Sequence, residues 1–108
     1  MNAHKREMAR NLILRFGQGS FKKTYIRLRD FAVTDGGLKR IKCPALALTG
    51  AGEGKEPLRQ LEHFLRLVSG PVASHAFTSD EGADGHCLSG NLAYSAAVSL
   101  DWLDEVFA

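Results

Sequence analysis

Apolar residues recur at helical spacing in four places along this chain and gather in two short strand-like segments, and these six segments set the expected architecture. Residues 3–15 favour a helix, with Met8, Leu12 and Arg15 falling on one side and Ile13 and Leu14 adding apolar bulk. The stretch RFGQGS interrupts that pattern with two glycines, and Ser20 is placed to cap a second helix, FKKTYIRLRDF, reaching Phe31. Residues 34–37, TDGG, read as a loop, and LKRI reads as a short helical turn. Pro44 then opens PALALTG, a short apolar run stopped by Gly50, which has the character of a fully buried strand in a parallel sheet. After the loop AGEGKEP, the segment EPLRQLEHFLRLVSG carries Leu58, Leu61, Leu65 and Val68 on one helical face, widened by Phe64 and ended by Ser69-Gly70-Pro71. VASHAFT predicts a second strand, and SGNLAYSAAVSLDWLDEVFA predicts a closing helix with Leu92, Ala96, Leu100, Leu103 and Phe107 along one side.

The order from residue 42 onward is therefore strand, helix, strand, helix. Two strands joined through a helix imply a parallel pair with a right-handed crossover, so the fold class is α/β. The expected organisation is a helical segment over residues 1–41 and a βαβα unit over residues 42–108. Two strands alone do not make a stable parallel sheet, which needs both faces covered and several neighbours. The chain is thus expected either to form a homodimer or to lack an N-terminal half.

Charge adds a second division. Residues 1–42 hold 11 lysines and arginines against 3 acids, and residues 43–108 hold 3 against 9, which gives the net +2 of the whole chain. A basic half can signal nucleic acid. Here Arg27, Arg29, Lys39 and Arg40 are interleaved with leucine and isoleucine at amphipathic spacing, with no basic–aromatic platform, so no nucleic-acid partner is expected. No apolar run approaches the ~18 residues of a membrane span, and the basic N-terminus lacks the apolar core of a secretory signal, so no membrane partner is expected either. Two cysteines, Cys43 and Cys87, make no disulfide framework, which points to a reducing, cytoplasmic setting.

Candidate chemistry gathers in two loops. In open α/β sheets ligands bind beyond the carboxyl ends of the strands, and the loops that follow both strands are rich in ionisable groups. TGAGEGKE offers Glu53 and Glu56, and SDEGADGHC offers Asp80, Glu81, Asp84 and His86. A carboxylate accepting a histidine Nδ1–H fixes its tautomer, stabilises the imidazolium and leaves Nε2 free to take a proton from a nucleophile. From the residues alone His86 has three readings: a catalytic base, a metal ligand with Asp84 and Cys87, or a solvated loop residue. No Cys/His spacing matches a zinc site. Glu56 and Glu81 read as helix-start and loop charges, His63 as a helix-flank residue, and His75 as a strand residue.

Longer pieces narrow these alternatives. RFGQGS with its basic helix and LRDFAV, then IKCPALALTGAGEG, FTSDEGADGHC and LDWLDEVF resemble, in this order from Phe16 to Ala108, the C-terminal part of α/β-hydrolase-fold enzymes. The group concerned contains 2,6-dihydroxypseudooxynicotine hydrolase, the fungal heptaketide pigment hydrolases and the esterase-like FrsA proteins. The resemblance implies that residues 42–108 are the last two strands of the sheet with flanking helices, preceded by a helical exit from a cap region. It places His86 on the catalytic histidine and Glu53 on the acid, in a loop that in the family is commonly Gly-Glu-x-Asp. Glu53 stands where an aspartate is usual, and Ala51 where a second acid is frequent, which leaves Glu56 as the competing acid.

The nucleophile of this fold sits on a G-x-S-x-G elbow that precedes the acid and the histidine in the chain. No such pentapeptide occurs here: GQGSF around Ser20 lacks the closing glycine, and LSGNL around Ser89 follows the histidine. The resemblance therefore implies a C-terminal fragment of a serine hydrolase, inactive alone. The whole would act on a small-molecule carbonyl substrate, an ester or a C–C bond beside a ketone, with no metal or organic cofactor. The alternative is a non-catalytic truncated α/β module that self-associates or binds a partner.

Overall fold

A computed structural model describes residues 2–108 of the chain. It divides into two compact units, one ending at Thr34 and the other spanning Asp35–Ala108.

The first unit is helical. Helix α1 (Ala3–Phe16) is capped by Asn2, whose side chain accepts the Lys5 N–H, and ends at Gly17 in the left-handed conformation, φ 60°. Its inward side is Ala9, Leu12, Ile13 and Phe16, spaced i, i+3, i+4, i+7, so Met8 and Arg15 face away from it, contrary to the expected side. Helix α2 (Phe21–Leu28) starts at Ser20, which caps it as its sequence predicts, and continues into a single 3₁₀ turn to Phe31. The two helices meet around fully buried Thr24, whose hydroxyl donates to the Ser20 carbonyl, and around an edge-to-face pair of Phe16 and Phe31 with ring centroids 5.2 Å apart.

The second unit is of α/β class. Helix α3 (Asp35–Lys39) precedes strand β1 (Ala45–Gly50), helix α4 (Lys55–Leu67), strand β2 (Val72–Phe77) and helix α5 (Leu92–Phe107). The strands pair in parallel over six residues, Ala45 opposite Val72 through Gly50 opposite Phe77. α4 is the crossover that a parallel pair requires. Leu58, Leu61, Phe64, Leu65 and Val68 are half-buried or buried, as the apolar stripe predicts. α3 belongs to this unit and not to the helical segment before it. The His63 Nε2–H donates to Asp35 Oδ1 at 2.8 Å, the Ser69 hydroxyl donates to the Lys39 carbonyl at 2.8 Å, and the Ser69 and Gly70 amides both donate to the Ile41 carbonyl. These bonds move the break from the expected 41/42 to 34/35.

α5 departs from expectation in another way. Its buried and half-buried residues are Ser95, Val98, Ser99, Trp102 and Val106, whereas Leu92, Ala96, Leu100, Leu103 and Phe107, expected to form its packed side, are exposed. Apart from an acidic side formed by Asp101, Asp104 and Glu105, the apolar arc of the helix is wide, so two faces within it compete as the core face and pattern alone does not choose between them. Among the described residues no helix is long and apolar enough to cross a membrane.

Candidate functional site

Both candidate loops leave the carboxyl ends of the paired strands. Because Gly50 and Phe77 are partners in register, the chain departs from β1 and β2 at the same level. After β1 it makes a 3₁₀ turn, Ala51–Glu53, and after β2 a second one, Ser79–Glu81, followed by a turn through Ala83 to a 3₁₀ segment, His86–Asn91. The two loops lie against each other: the Gly52 N–H donates to the Asp84 carbonyl at 3.0 Å. Ala83, in the second loop, has no exposed surface, so the loop is packed against the rest of the unit at that point.

This stacking places His86 beside Glu53. The His86 Nδ1–H donates to Glu53 Oε1 at 2.6 Å, across 33 residues of sequence. At that length the bond is at the short end for N–H···O, in the direction that a charged acceptor favours. The carboxylate side chain is one-quarter exposed and the imidazole side chain 86% exposed, so the acid is sheltered and the histidine presents its other edge outward. Among the described residues His86 Nε2 makes no hydrogen bond. Cys87 and Leu88, directly after the histidine, both adopt the left-handed backbone, φ 55° and 58°, which costs a residue with a side chain about 1–2 kcal/mol. The chain accepts that strain at the kink directly after His86.

Of the two acids left open by the sequence, only Glu53 reaches the histidine. Glu56 lies in the first turn of α4, where Arg59 grips it bidentately at 2.6 and 2.8 Å and Gln60 donates at 3.0 Å. The Arg59 hydrogen bonds, then that of Gln60, hold its carboxyl down to about 2 from an ordinary 4.5, although the pair is exposed to water. Asp84 contributes its backbone carbonyl to the site. Cys43 and Cys87 are both free thiols, and no group of three or more His, Cys, Asp or Glu side chains among the described residues could hold a metal ion.

A second histidine–carboxylate pair joins β2 to the loop that follows it. The His75 Nε2–H, midway along β2, donates to Glu81 Oε1 at 2.8 Å, and that carboxylate also accepts the Thr78 N–H at 2.7 Å and the Tyr94 hydroxyl at 3.2 Å. The Thr78 amide, then the His75 and Tyr94 contacts, keep the Glu81 carboxyl below its ordinary value against the opposing effect of burial. The same contact with Glu81 pushes the Tyr94 hydroxyl up. Tyr94 meets the Phe77 ring edge-on at 5.7 Å, and Asn91 both caps α5 through the Tyr94 N–H and donates to the Glu81 carbonyl. This cluster ties β2, its loop and α5 together; every acceptor position on Glu81 is spent on structure. The Thr-x-x-Glu spacing of Thr78 and Glu81, a reciprocal capping box, was the signal in the sequence that marks Glu81 as more than a loop charge.

Comparison of the chain with protein-family models, with curated proteins and with solved structures finds no match.

Proposed function

We propose that His86 and Glu53 are the base and the orienting acid of a serine α/β-hydrolase. The observation that carries this reading is the 2.6 Å bond from His86 Nδ1–H to Glu53, with Nε2 left outward and unpartnered. That is the tautomer a general base needs, because the lone pair then lies on the nitrogen that faces the nucleophile. A hydroxyl presented there gives its proton to Nε2 as its oxygen attacks a carbonyl carbon. The imidazolium so formed is stabilised by Glu53 and returns the proton to the leaving group. The substrate class is a small-molecule ester, or a ketone with a cleavable adjacent C–C bond. The attacking serine and the oxyanion hole are contributed by polypeptide outside these 108 residues, and this arm of the site needs no metal or organic cofactor.

The test combines this chain with a separately expressed N-terminal half of an α/β-hydrolase that carries a G-x-S-x-G elbow, and follows p-nitrophenyl ester hydrolysis. Saturable turnover is expected only from the combination, and His86→Ala is expected to lower kcat by about 10³-fold or more. Turnover by this chain alone that disappears in His86→Ala would refute the placement of the nucleophile. An unchanged rate for His86→Ala in the combination would refute the role of the histidine.

One observation favours a second reading, a non-catalytic module that self-associates. Leu92, Leu100, Leu103 and Phe107 form an exposed apolar stripe along α5, the last of them 82% exposed. Such a stripe is usual where another surface covers it. On this reading sedimentation resolves a dimer at micromolar concentration, and Leu100→Asp with Leu103→Asp weakens it about tenfold or more. A single monomeric species at every concentration removes this reading.

A further inference from the structure

The pairing of His86 with Glu53 depends on how closely two backbones approach, and two glycines set that approach. A Cβ at Gly50 would overlap the Asp84 carbonyl and lie 2.8 Å from the Gly85 oxygen. A Cβ at Gly52 would lie 2.5 Å from Asp84 Oδ2 and 3.0 Å from the Asp84 carbonyl oxygen. Neither glycine has a left-handed φ, so neither is required by backbone conformation; what each provides is space. Gly85, one residue before the histidine, is the opposite case: it has φ −84° and nothing within 4 Å of a built Cβ.

We infer that Gly50 and Gly52 are positioning residues for His86: they form a slot in which the Asp84–Gly85 backbone lies, and the slot holds the imidazole in the Nδ1–H tautomer facing Glu53. Three features converge on this. The hydrogen bond from Gly52 N–H to the Asp84 carbonyl lies in the slot, one residue from Glu53 on one side and two from His86 on the other. Ala83, just before the slot, is fully buried, so the second loop is packed there, and a side chain added at Gly50 meets main-chain atoms of Asp84 and Gly85 that can yield only if the loop carrying His86 shifts. The histidine is itself mostly in solvent, with no packing of its own to keep its ring in place, so its orientation is set by the loop and the carboxylate. A displacement of about 1 Å is enough to break a bond of this length. The inference deepens the proposed role of His86 and rests on it for its catalytic meaning, while the geometry it predicts is readable without any substrate.

The experiment is long-range proton–nitrogen correlation NMR on the ¹⁵N-labelled chain, above the pH at which its histidines are protonated. In the unmodified chain His86 is expected to show the Nδ1–H pattern, and His63, whose Nδ1 accepts from Arg66 while its Nε2–H donates to Asp35, the Nε2–H pattern that serves as an internal reference. Gly52→Ala is expected to lose the Nδ1–H pattern of His86 with the His63 and His75 signals in place, and Gly85→Ala to keep all three. Asp84→Ala removes the carboxylate that the new methyl group meets first, so the Gly52→Ala/Asp84→Ala double variant is expected to regain part of the Nδ1–H signal. If Gly52→Ala fails to fold, the double variant should recover the fold and the Nδ1–H pattern together. A folded Gly52→Ala whose His86 matches that of Gly85→Ala overturns the inference, and so does a double variant that folds without the Nδ1–H pattern. Because no hydrolysis is measured, an inactive combination in the ester assay would count against the proposed function and leave this result standing.

Discussion

If His86 and Glu53 serve a serine nucleophile as proposed, Glu53→Gln is expected to lower ester hydrolysis by the reconstituted site by about 10⁴-fold in kcat, the scale of loss known for the same carboxylate-to-amide change in a serine-protease triad. The change preserves the length of the side chain and the position of its oxygen, so what it removes is charge and tautomer control. Glu53 accepts the Nδ1–H at 2.6 Å, and as a carboxylate it can only accept. A glutamine amide can instead turn its NH₂ toward Nδ1, which moves the ring proton to Nε2 and points a donor at the nucleophile. It also leaves the imidazolium of the transition state without its counter-charge. The check is kcat as a function of pH for both proteins, with Glu56→Gln as the comparison. Arg59 and Gln60 already occupy Glu56, so that variant is expected to leave kcat within about threefold. Equal losses for the two variants would remove Glu53 from its role.

Phe77→Ala is expected to cost about 3–5 kcal/mol, the usual range for emptying a fully buried aromatic site. Phe77 has no exposed surface, ends β2 opposite Gly50, and packs its ring 4.3 Å from His75 and edge-on to Tyr94. Among the described residues of the second unit the other buried apolar side chains are Leu38, Val68 and Ala83, one of them an alanine, so few others share the work of holding that unit. Domains of this size are stable by about 5–15 kcal/mol, and one with so few buried apolar residues belongs near the lower end. Urea titration followed by circular dichroism should then show the variant largely unfolded, or with its midpoint close to zero denaturant. A midpoint shift equivalent to less than about 1 kcal/mol would show that the cluster around Tyr94 does not anchor α5 as described.

Much of the local structure is legible along the chain. The stripe from Leu58 to Val68 locates α4 and its inward face, because one apolar side against a polar remainder has a single phase. Asn2 and Ser20 sit where a cap satisfies open amides, and Pro44 and Gly50 bracket β1. The rule that ligand sites collect at the carboxyl ends of parallel strands was enough to direct attention to Glu53 and His86. It could not choose between Glu53 and Glu56: they are three residues apart, and one helical turn decides which is taken up by Arg59. The His75–Glu81–Tyr94 cluster was equally hidden, since it joins a strand, a loop and a helix.

What the sequence determined by itself was the four longer helices and the two strands, their α/β order and the two loops where chemistry can gather, whereas Asp35–Gly37, read as a loop, opens α3. Those follow from interactions within a few residues, which leave a period or a cap in the pattern. Tertiary structure decided the rest: that α5 turns Trp102 and Val106 inward and leaves Leu100 and Phe107 outside, that α3 joins the unit after it, and that Glu53 meets His86. The last of these turns on the approach of Gly50 and Gly52 to the Asp84 backbone. Contacts made by main-chain atoms through the space a missing side chain leaves are nearly silent in sequence. A glycine shows only that room exists, and the fold decides what fills it.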